Sequence, residues 1–293
     1  MPELIVITGP TASGKSQLAV DIASRIGCDI ISADSRQIYR GLPIGTAAPS
    51  PEQLAKVRHH FVSCLNLEEY YSAARFEDEV MKLLPNLWHT NEREVMCGGS
   101  MMYVQAVTKG LDQLPTISES VRKKVIDLYD QIGLDGLMAQ LRILDSEYAD
   151  KVDPHNTKRV MHALEICFES GGTYSELRTG TTRRRDFTIR QYAIDLPRDV
   201  LFDRINARVD AMIEAGLEDE AQRVYHLKHL NSLNTVGYKE LFAYFDGTMD
   251  RNTAIERIKK NTRVYAKKQL TWLKRDPDVR FLPPEDILAE ILA

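Results

Sequence analysis

The sequence predicts an α/β protein: a parallel sheet core flanked by helices and interrupted by an all-helical insertion. Three observations carry that expectation. Short apolar, β-rich runs at residues 4–8, 28–32, 61–65 and 94–97 alternate with segments of helical spacing. From Pro115 the strand signals stop and helical periodicity takes over. An alternating run at 189–196 then brings the sheet back. The boundaries that follow are 1–114 for the first part of the core, 115–187 for the insertion, and 188–293 for a return strand and basic C-terminal helices.

Residues 4–8 form a buried strand that runs straight into Gly9-Pro10-Thr11-Ala12-Ser13-Gly14-Lys15-Ser16. A helix follows, with Leu18, Ile22, Ala23 and Ile26 on one face. The second strand leads into Ala33-Asp34-Ser35, and the fourth into Gly98-Gly99-Ser100. In the insertion, 118–131, 134–144 and 156–170 read as helices; Pro154 after Asp153 suits a helix start and Gly171-Gly172 a stop. Residues 179–186 (TGTTRRRD) read as an exposed loop, and 200–274 as closing helices. Between Asp250 and Arg275 stand nine lysines and arginines against two acids, a local charge of +7. Ile258, Tyr265 and Trp272 recur every seven residues, and the expectation is that they mark the buried stripe of a helix whose other face is basic. Arg183-Arg184-Arg185 adds a second basic cluster.

Composition bounds the function without choosing it. The 293 residues are 43% hydrophobic and 27% charged, as expected of a soluble globular protein. A net charge of −4 does not announce a nucleic-acid binder, although binding needs only a local basic surface. Cys28, Cys64, Cys97 and Cys167 are scattered, with no CxxC pair, so free thiols in a reducing compartment are expected and no zinc site or disulfide. Met1-Pro2-Glu3-Leu4 lacks a basic leader, and no run reaches membrane-spanning length. A cytoplasmic monomer with no membrane partner is the expectation.

The octapeptide at 9–16 satisfies G-x-x-x-x-G-K-[ST], a P-loop, and its place between strand and helix gives the core a P-loop NTPase-like reading. Gly9 and Gly14 allow backbone angles that aim successive N–H groups inward, and the next helix presents its positive end. Lys15 supplies a point charge to phosphate, and the Ser16 hydroxyl can ligate Mg²⁺. The motif holds a diphosphate without saying whose. Asp34, at the carboxyl end of the second strand, should face the same crevice. A carboxylate there can accept a proton from a nucleophile; equally, Asp in this position often caps the next turn.

Asp34-Ser35-Arg36-Gln37-Ile38-Tyr39 followed by Ile44-Gly45-Thr46-Ala47 resembles the D-S-x-Q-[IV]-Y…[IM]-G-T-A signature of tRNA dimethylallyltransferases. The resemblance continues through Tyr71-Ser72-Ala73-Ala74-Arg75-Phe76, Gly98-Gly99-Ser100-Met101-Met102-Tyr103 and residues 159–165 (RVMHALE). It goes on through 204–208 (RINAR), 236–240 (VGYKE) and 262–272 (TRVYAKKQLTW), in family order over nearly the whole chain.

The resemblance implies transfer of a dimethylallyl group from dimethylallyl diphosphate to N6 of adenosine 37, beside the tRNA anticodon, with Mg²⁺. The cradle of Gly9, Pro10, Thr11, Ala12, Ser13, Gly14, Lys15 and Ser16 would then stabilise departing diphosphate rather than ATP. Thr11 would lie near the bridging oxygen, Arg208 would join Lys15 on the leaving group, and Asp34 would take the N6 proton. Read without the resemblance, Arg204 and Arg208 are simply an i, i+4 charged face beside Asp203 and Asp210. Contacts to the tRNA anticodon stem-loop would map to Asp34, Ser35, Arg36, Gln37, Ser100, Arg122, Lys158, Arg159, Val160, Met161 and His162. A further set would be Asn234, Thr235, Val236, Gly237, Tyr238 and Lys239. Gly237 and Tyr238 suit a site for an unstacked base, and read equally as a turn glycine and a core-edge tyrosine.

Three positions depart from the family pattern: Ala48 stands where lysine is usual, Ser100 where threonine is commoner, and His162 where arginine is frequent. None touches the inferred diphosphate site. The rival expectations are a P-loop kinase of a nucleoside or small metabolite, an adenylate (AMP) isopentenyltransferase, and a nucleotide-switched RNA-binding module without catalysis.

Overall fold

Apolar side chains stand on both faces of the central strand, and that dictates a sheet covered on both sides. In Glu3–Thr8 (β1), Ile5 and Ile7 point to one layer while Leu4 and Val6 point to the other, the two-residue period of a strand. The computed structural model describes residues 1–180 and 182–293, so Thr181 of the expected 179–186 loop lies outside the described residues. The fold divides into two compact units, Met1–Lys109 with Arg185–Ala293, and Gly110–Arg184.

The first unit is built on six parallel strands: β1, Ile30–Ser32 (β2), His59–His60 (β3), Arg93–Cys97 (β4), Thr188–Ile194 (β5) and Val279–Leu282 (β6). Their spatial order is β3-β2-β4-β1-β5-β6, so β1 is central, flanked by β4 and the returning β5. Helices Lys15–Ile26 (α1), Pro51–Lys56 (α2), Ala73–Trp88 (α3) and Met101–Lys109 (α4) precede the second unit in sequence. On one face Ile5, Ile7, Ile30 and Tyr192 bury against Leu18 and Ile22 of α1. On the other, Leu4, Val6, Ile31 and Met96 meet Phe76, Val80 and Leu84 of α3 and Val104 and Val107 of α4. The loops after β1, β2 and β4 emerge together at the carboxyl edge of the sheet, where open α/β folds bind ligands.

The second unit comprises Glu119–Leu144 (α5), Ser146–Lys151 (α6), Thr157–Ser170 (α7) and Tyr174–Leu177 (α8) around Val125, Leu137, Leu141, Val160 and Leu164. Gly133 (φ 65°, ψ −172°) breaks α5, matching the two helical segments read there from the sequence. Asp145, nearly fully buried, caps α6 at the Tyr148 amide (2.9 Å) and accepts the Ser175 amide (2.7 Å) and hydroxyl (2.8 Å) at the start of α8. Returning to the first unit, Arg198–Glu214 (α9), Leu217–Val224 (α10), Tyr238–Phe245 (α11) and Arg251–Leu273 (α12) lead to β6 and Pro284–Leu292 (α13).

Four expectations need correction. Residues 61–65 are not a strand, because Phe61 (φ 62°) and Ser63 (φ 49°) are left-handed, which β pairing excludes; the edge strand is His59–His60. Pro154 does not open a helix; the expected 156–170 helix runs from Thr157, with Asn156 as its cap accepting the Arg159 amide (3.2 Å). Ile258 is buried in the α12 stripe, but Tyr265 and Trp272 are 39% and 36% exposed; the buried positions are Ala254, Ile258, Ala266, Gln269 and Leu273. A strict seven-residue repeat drifts ~20° per heptad on a straight helix, which carries the later aromatics off the core. Arg185 is no solvated phosphate ligand: its Nη2 pairs with buried Glu77 (2.7 Å) and donates to the Ala106 carbonyl (2.6 Å). The four cysteines are free, with Cys64 exposed and the others buried. Among the described residues no helix is long and apolar enough to cross a membrane.

At the amino edge of the sheet, away from the loops above, Glu94 is buried beside Asp29, whose amide it accepts (3.1 Å). Burial, then repulsion from Asp29, pushes its carboxyl up to about 7 from an ordinary 4.5, against the pull of the Asp29 amide. Between those values the folded state holds a proton the unfolded chain has released, so this group favours folding at low pH and loses that contribution as pH rises through about 7. Glu94→Gln keeps an acceptor for the Asp29 amide and carries no charge. Denaturant melts should show the variant stabilised relative to wild type by ~1–3 kcal/mol at pH 8, after allowing for solvent screening, and by much less at pH 5.

Candidate active site

The crevice at the carboxyl edge is assembled by three loops and two helices. After β1 the chain folds back through Gly9 (φ 148°), Ala12 (φ 64°) and Gly14 (φ 95°), and the Ser13 amide closes on the Pro10 carbonyl (3.2 Å). No side chain caps the amino end of α1, so its first-turn N–H groups are left for a ligand. Among the described residues Lys15 Nζ reaches only the Pro10 carbonyl, at 3.3 Å. After β2, Asp34 Oδ1 accepts the amides of Arg36 (2.9 Å) and Gln37 (3.3 Å). The capping reading therefore holds for one oxygen, and the residue also lines the crevice. After β4, Ser100 Oγ accepts the Ser35 amide (2.8 Å) and donates to Ser35 Oγ (3.1 Å), fixing the acid's turn to the glycine loop.

Two adjoining cavities meet here. One is lined by Thr11, Lys15, Ser16, Asp34, Cys97 and Arg208. The other, of about 330 Å³, is lined by Thr11, Asp34, Ser35, Arg36, Ser100 and Arg208, and by Asn234, Thr235, Val236, Gly237 and Lys239. Asp34, Thr11 and Arg208 belong to both. The structure thus brings the candidate cradle, acid and arginine together, with Ser35, Arg36 and Ser100 of the first predicted tRNA-facing set and five of the six residues of the second beside them.

Electrostatics distinguish this crevice from an ordinary surface. Arg208 on α9 makes no hydrogen bond or ion pair with the described residues; Asp210 pairs instead with Lys259 (2.8 Å). Burial pushes the Arg208 guanidinium below its ordinary value, opposed by Asp34. Burial also lowers the Lys15 ammonium, and the Arg208 charge adds to this, against the pull of Cys97 and Asp34. The Cys97 thiol is pushed up to about 12 by burial, so it stays neutral beside Lys15. Two desolvated cations around a single carboxylate favour a polyanion between them.

Other predicted residues serve the framework. Gln37 spends its amide on the Thr46 (3.2 Å) and Ala47 (2.9 Å) carbonyls. Arg36 ties its guanidinium to the carbonyls of Asn231 (2.8 Å) and Ser232 (3.1 Å). Tyr238 is 0% exposed and donates to Glu220 (2.6 Å), so stacking on a base is closed to it. Buried Glu220 also accepts the amides of Ile44 (2.9 Å) and Gly45 (2.7 Å), joining that loop to the start of α11. Arg122, Lys158, Arg159, Val160, Met161 and His162 belong to the second unit. There Lys158, Arg159 and His162 are exposed, whereas Val160 is 0% exposed in that unit's own core and offers no side chain to a partner. Sequence reasoning missed Gln269, Tyr265 and Thr46, all of which line the cavity with Lys15. Gln269 and Tyr265 lie within 262–272, where the dense positive charge read as a surface feature.

Residues 37–276 match the IPP transferase family. A tRNA dimethylallyltransferase of Phocaeicola vulgatus is 50% identical over 286 residues, covering 97% of this chain and 95% of that protein. One from Porphyromonas gingivalis is 51% identical over 282 residues, covering 96% and 94%. Among solved structures, a full-length tRNA isopentenylpyrophosphate transferase from Bacillus halodurans aligns with a TM-score of 0.73 at 33% identity, covering 100% of this chain and 95% of that one. A eukaryotic dimethylallyltransferase acting on tRNA gives 0.80 at 26% identity, covering 97% and 74%. With a family match over most of its length and relatives at half identity from end to end, the chain belongs to the IPP transferase family.

Proposed function

We propose that this enzyme transfers the dimethylallyl group of dimethylallyl diphosphate to N6 of adenosine 37, next to the anticodon of tRNA, releasing diphosphate. The observation that carries the reading is the shared position of Asp34. It stands where the cavity holding Lys15 and the cradle meets the cavity lined by Ser100, residues 234–237 and Lys239. A diphosphate on the loop amides and Lys15 puts its allylic carbon beside that carboxylate. Adenine entering from the second cavity puts N6 on its other side.

In the transfer, the N6 lone pair forms the C–N bond to the allylic carbon. The C–O bond breaks and its electron pair leaves on the diphosphate, where Lys15, Arg208 and the loop amides stabilise the added charge. The N6 proton passes to Asp34, through the oxygen that the turn amides do not use. Thr11 lines both cavities, which supports giving it the bridging oxygen of the leaving group. The donor set suits Mg²⁺: the Ser16 hydroxyl is a hard oxygen ligand in the cavity that holds the cradle, Asp34 can reach an ion there through water, and this ion commonly keeps several waters and takes phosphate oxygens. Bound there, Mg²⁺ would neutralise part of the diphosphate charge. Exposed cations on α12 and on the second unit provide sequence-independent attraction for RNA phosphates.

The direct test is incubation with Mg²⁺, labelled dimethylallyl diphosphate and unmodified tRNA carrying A36-A37. Label on N6 of A37 is expected; label on AMP, or ATP hydrolysis without transfer, speaks for a rival reading. Asp34→Asn keeps an oxygen for the Arg36 amide but cannot take the proton, so the folded variant should lose about 10²–10³ in transfer rate. Arg208→Gln should lose a similar factor, about 10²–10³, with tRNA binding intact. Filter binding should show tRNA affinity falling steeply as salt rises from 50 to 200 mM; a flat profile would remove α12 from the RNA surface.

A further inference from the structure

We propose that Gln269 is a positioning residue for the transfer: its carboxamide braces the diphosphate cradle at Thr11 against the Gly99-Ser100 loop that sets Asp34. This rests on the function proposed above. Gln269 projects from α12 and is 2% exposed. Its Oε1 accepts the Thr11 amide (2.9 Å) and its Nε2 donates to the Gly99 carbonyl (2.8 Å). The next residue, Ser100, accepts the Ser35 amide (2.8 Å), and its own amide donates to the Ala33 carbonyl (3.2 Å). Asp34 lies between those two anchored residues. One side chain therefore connects the loop that holds the leaving group to the turn that holds the proton acceptor.

Only a carboxamide fits the position. It must accept from an N–H and donate to a C=O at once, in a place where either group left alone would be a buried unsatisfied polar atom. Glutamate would turn two acceptors on each other at the Gly99 carbonyl and place a negative charge beside the diphosphate. The space is equally committed. A Cβ on Gly99 would lie 2.6 Å from Gln269 Nε2, so any larger residue at 99 pushes the amide away. Reacting groups held to a fraction of an ångström gain heavily in rate, and a displacement of about 1 Å can cost about 10²-fold. No chemistry needs Gln269 itself, because it carries no charge and gives up no proton.

Gln269→Met keeps the length and removes both hydrogen bonds. Single-turnover transfer at saturating dimethylallyl diphosphate and tRNA should fall roughly 10- to 100-fold, while the affinity for tRNA and the inhibition constant of inorganic diphosphate change by less than about threefold. Gly99→Ala reaches the same brace from the other side and should show the same split even if the first variant folds poorly. Because both changes break one contact, the double variant should be no slower than the slower single one. Wild-type enzyme that transfers no label defeats the proposed function itself. With wild type active, the brace is overturned by a saturating rate within about threefold of wild type in both variants, by a loss confined to KM for dimethylallyl diphosphate, or by losses that multiply in the double variant.

Discussion

Two cations held partly out of water around one carboxylate are the constraint on which the rest of this structure turns. Lys15 and Arg208 both pay for their burial in lowered proton affinity, and Asp34 opposes the shift of each. Neither cation is neutralised by a close partner of its own: Lys15 has one long contact to a carbonyl, and Arg208 has none among the described residues. A fold tolerates this only if the surrounding backbone is held rigidly enough that the cations cannot collapse onto nearby acids. The sheet provides that rigidity, since the three loops of the crevice leave adjacent buried strands, β2, β4 and β1.

Rigidity of the loops comes from side chains that spend themselves internally. Gln37 fastens the turn after β2 to residues 46–47, and Ser100 fastens that turn to the loop after β4. Glu220 gathers the amides of Ile44 and Gly45 with the Tyr238 hydroxyl. Each of these groups would be a plausible substrate ligand if seen as a letter in a motif. In the structure their polar atoms bond to one another and to the backbone, and those bonds fix the turn that carries Asp34 and the walls of the second cavity. Preorganisation of this kind lets charge develop on a leaving group without the protein having to rearrange.

Much of this was legible in the sequence, and the misses have physical causes. The strand–cradle–helix run, the acid after the second strand and the return strand were readable because each depends on local pattern: apolar runs, glycine spacing and alternation. His59–His60 was not, since a two-residue edge strand has no pattern of its own, and its neighbours Phe61 and Ser63 take left-handed angles that composition does not announce. The 279–282 edge strand was likewise passed over; it is short and half exposed. Within the site, the P-loop motif pointed to Lys15 and the end of the second strand to Asp34, whereas Arg208 came only from the family resemblance. The same habit of reading assigned Tyr238 to the ligand and missed Gln269, because whether a polar group faces a cavity or a buried partner is settled by tertiary packing.

The longest single helix of the first unit, α12, shows why those misses matter. Its buried side carries Ile258 into the core and Gln269 onto the cradle, while Tyr265 borders both cavities. Its outer side carries Arg257, Lys260 and Lys268, exposed to solvent. Lys259 and Arg251 are already offset by Asp210 and Glu218, so the +7 of the segment overstates the charge free to meet a polyanion. The exposed cations and Gln269 thus sit on different sides of one helix. A phosphate backbone bound on the outer side would bear on the same element whose carboxamide spans Thr11 and Gly99. A displacement of α12 relative to those loops would act on Gln269, whose two hydrogen bonds (2.9 and 2.8 Å) are of ordinary length and weaken as they are stretched or misaligned.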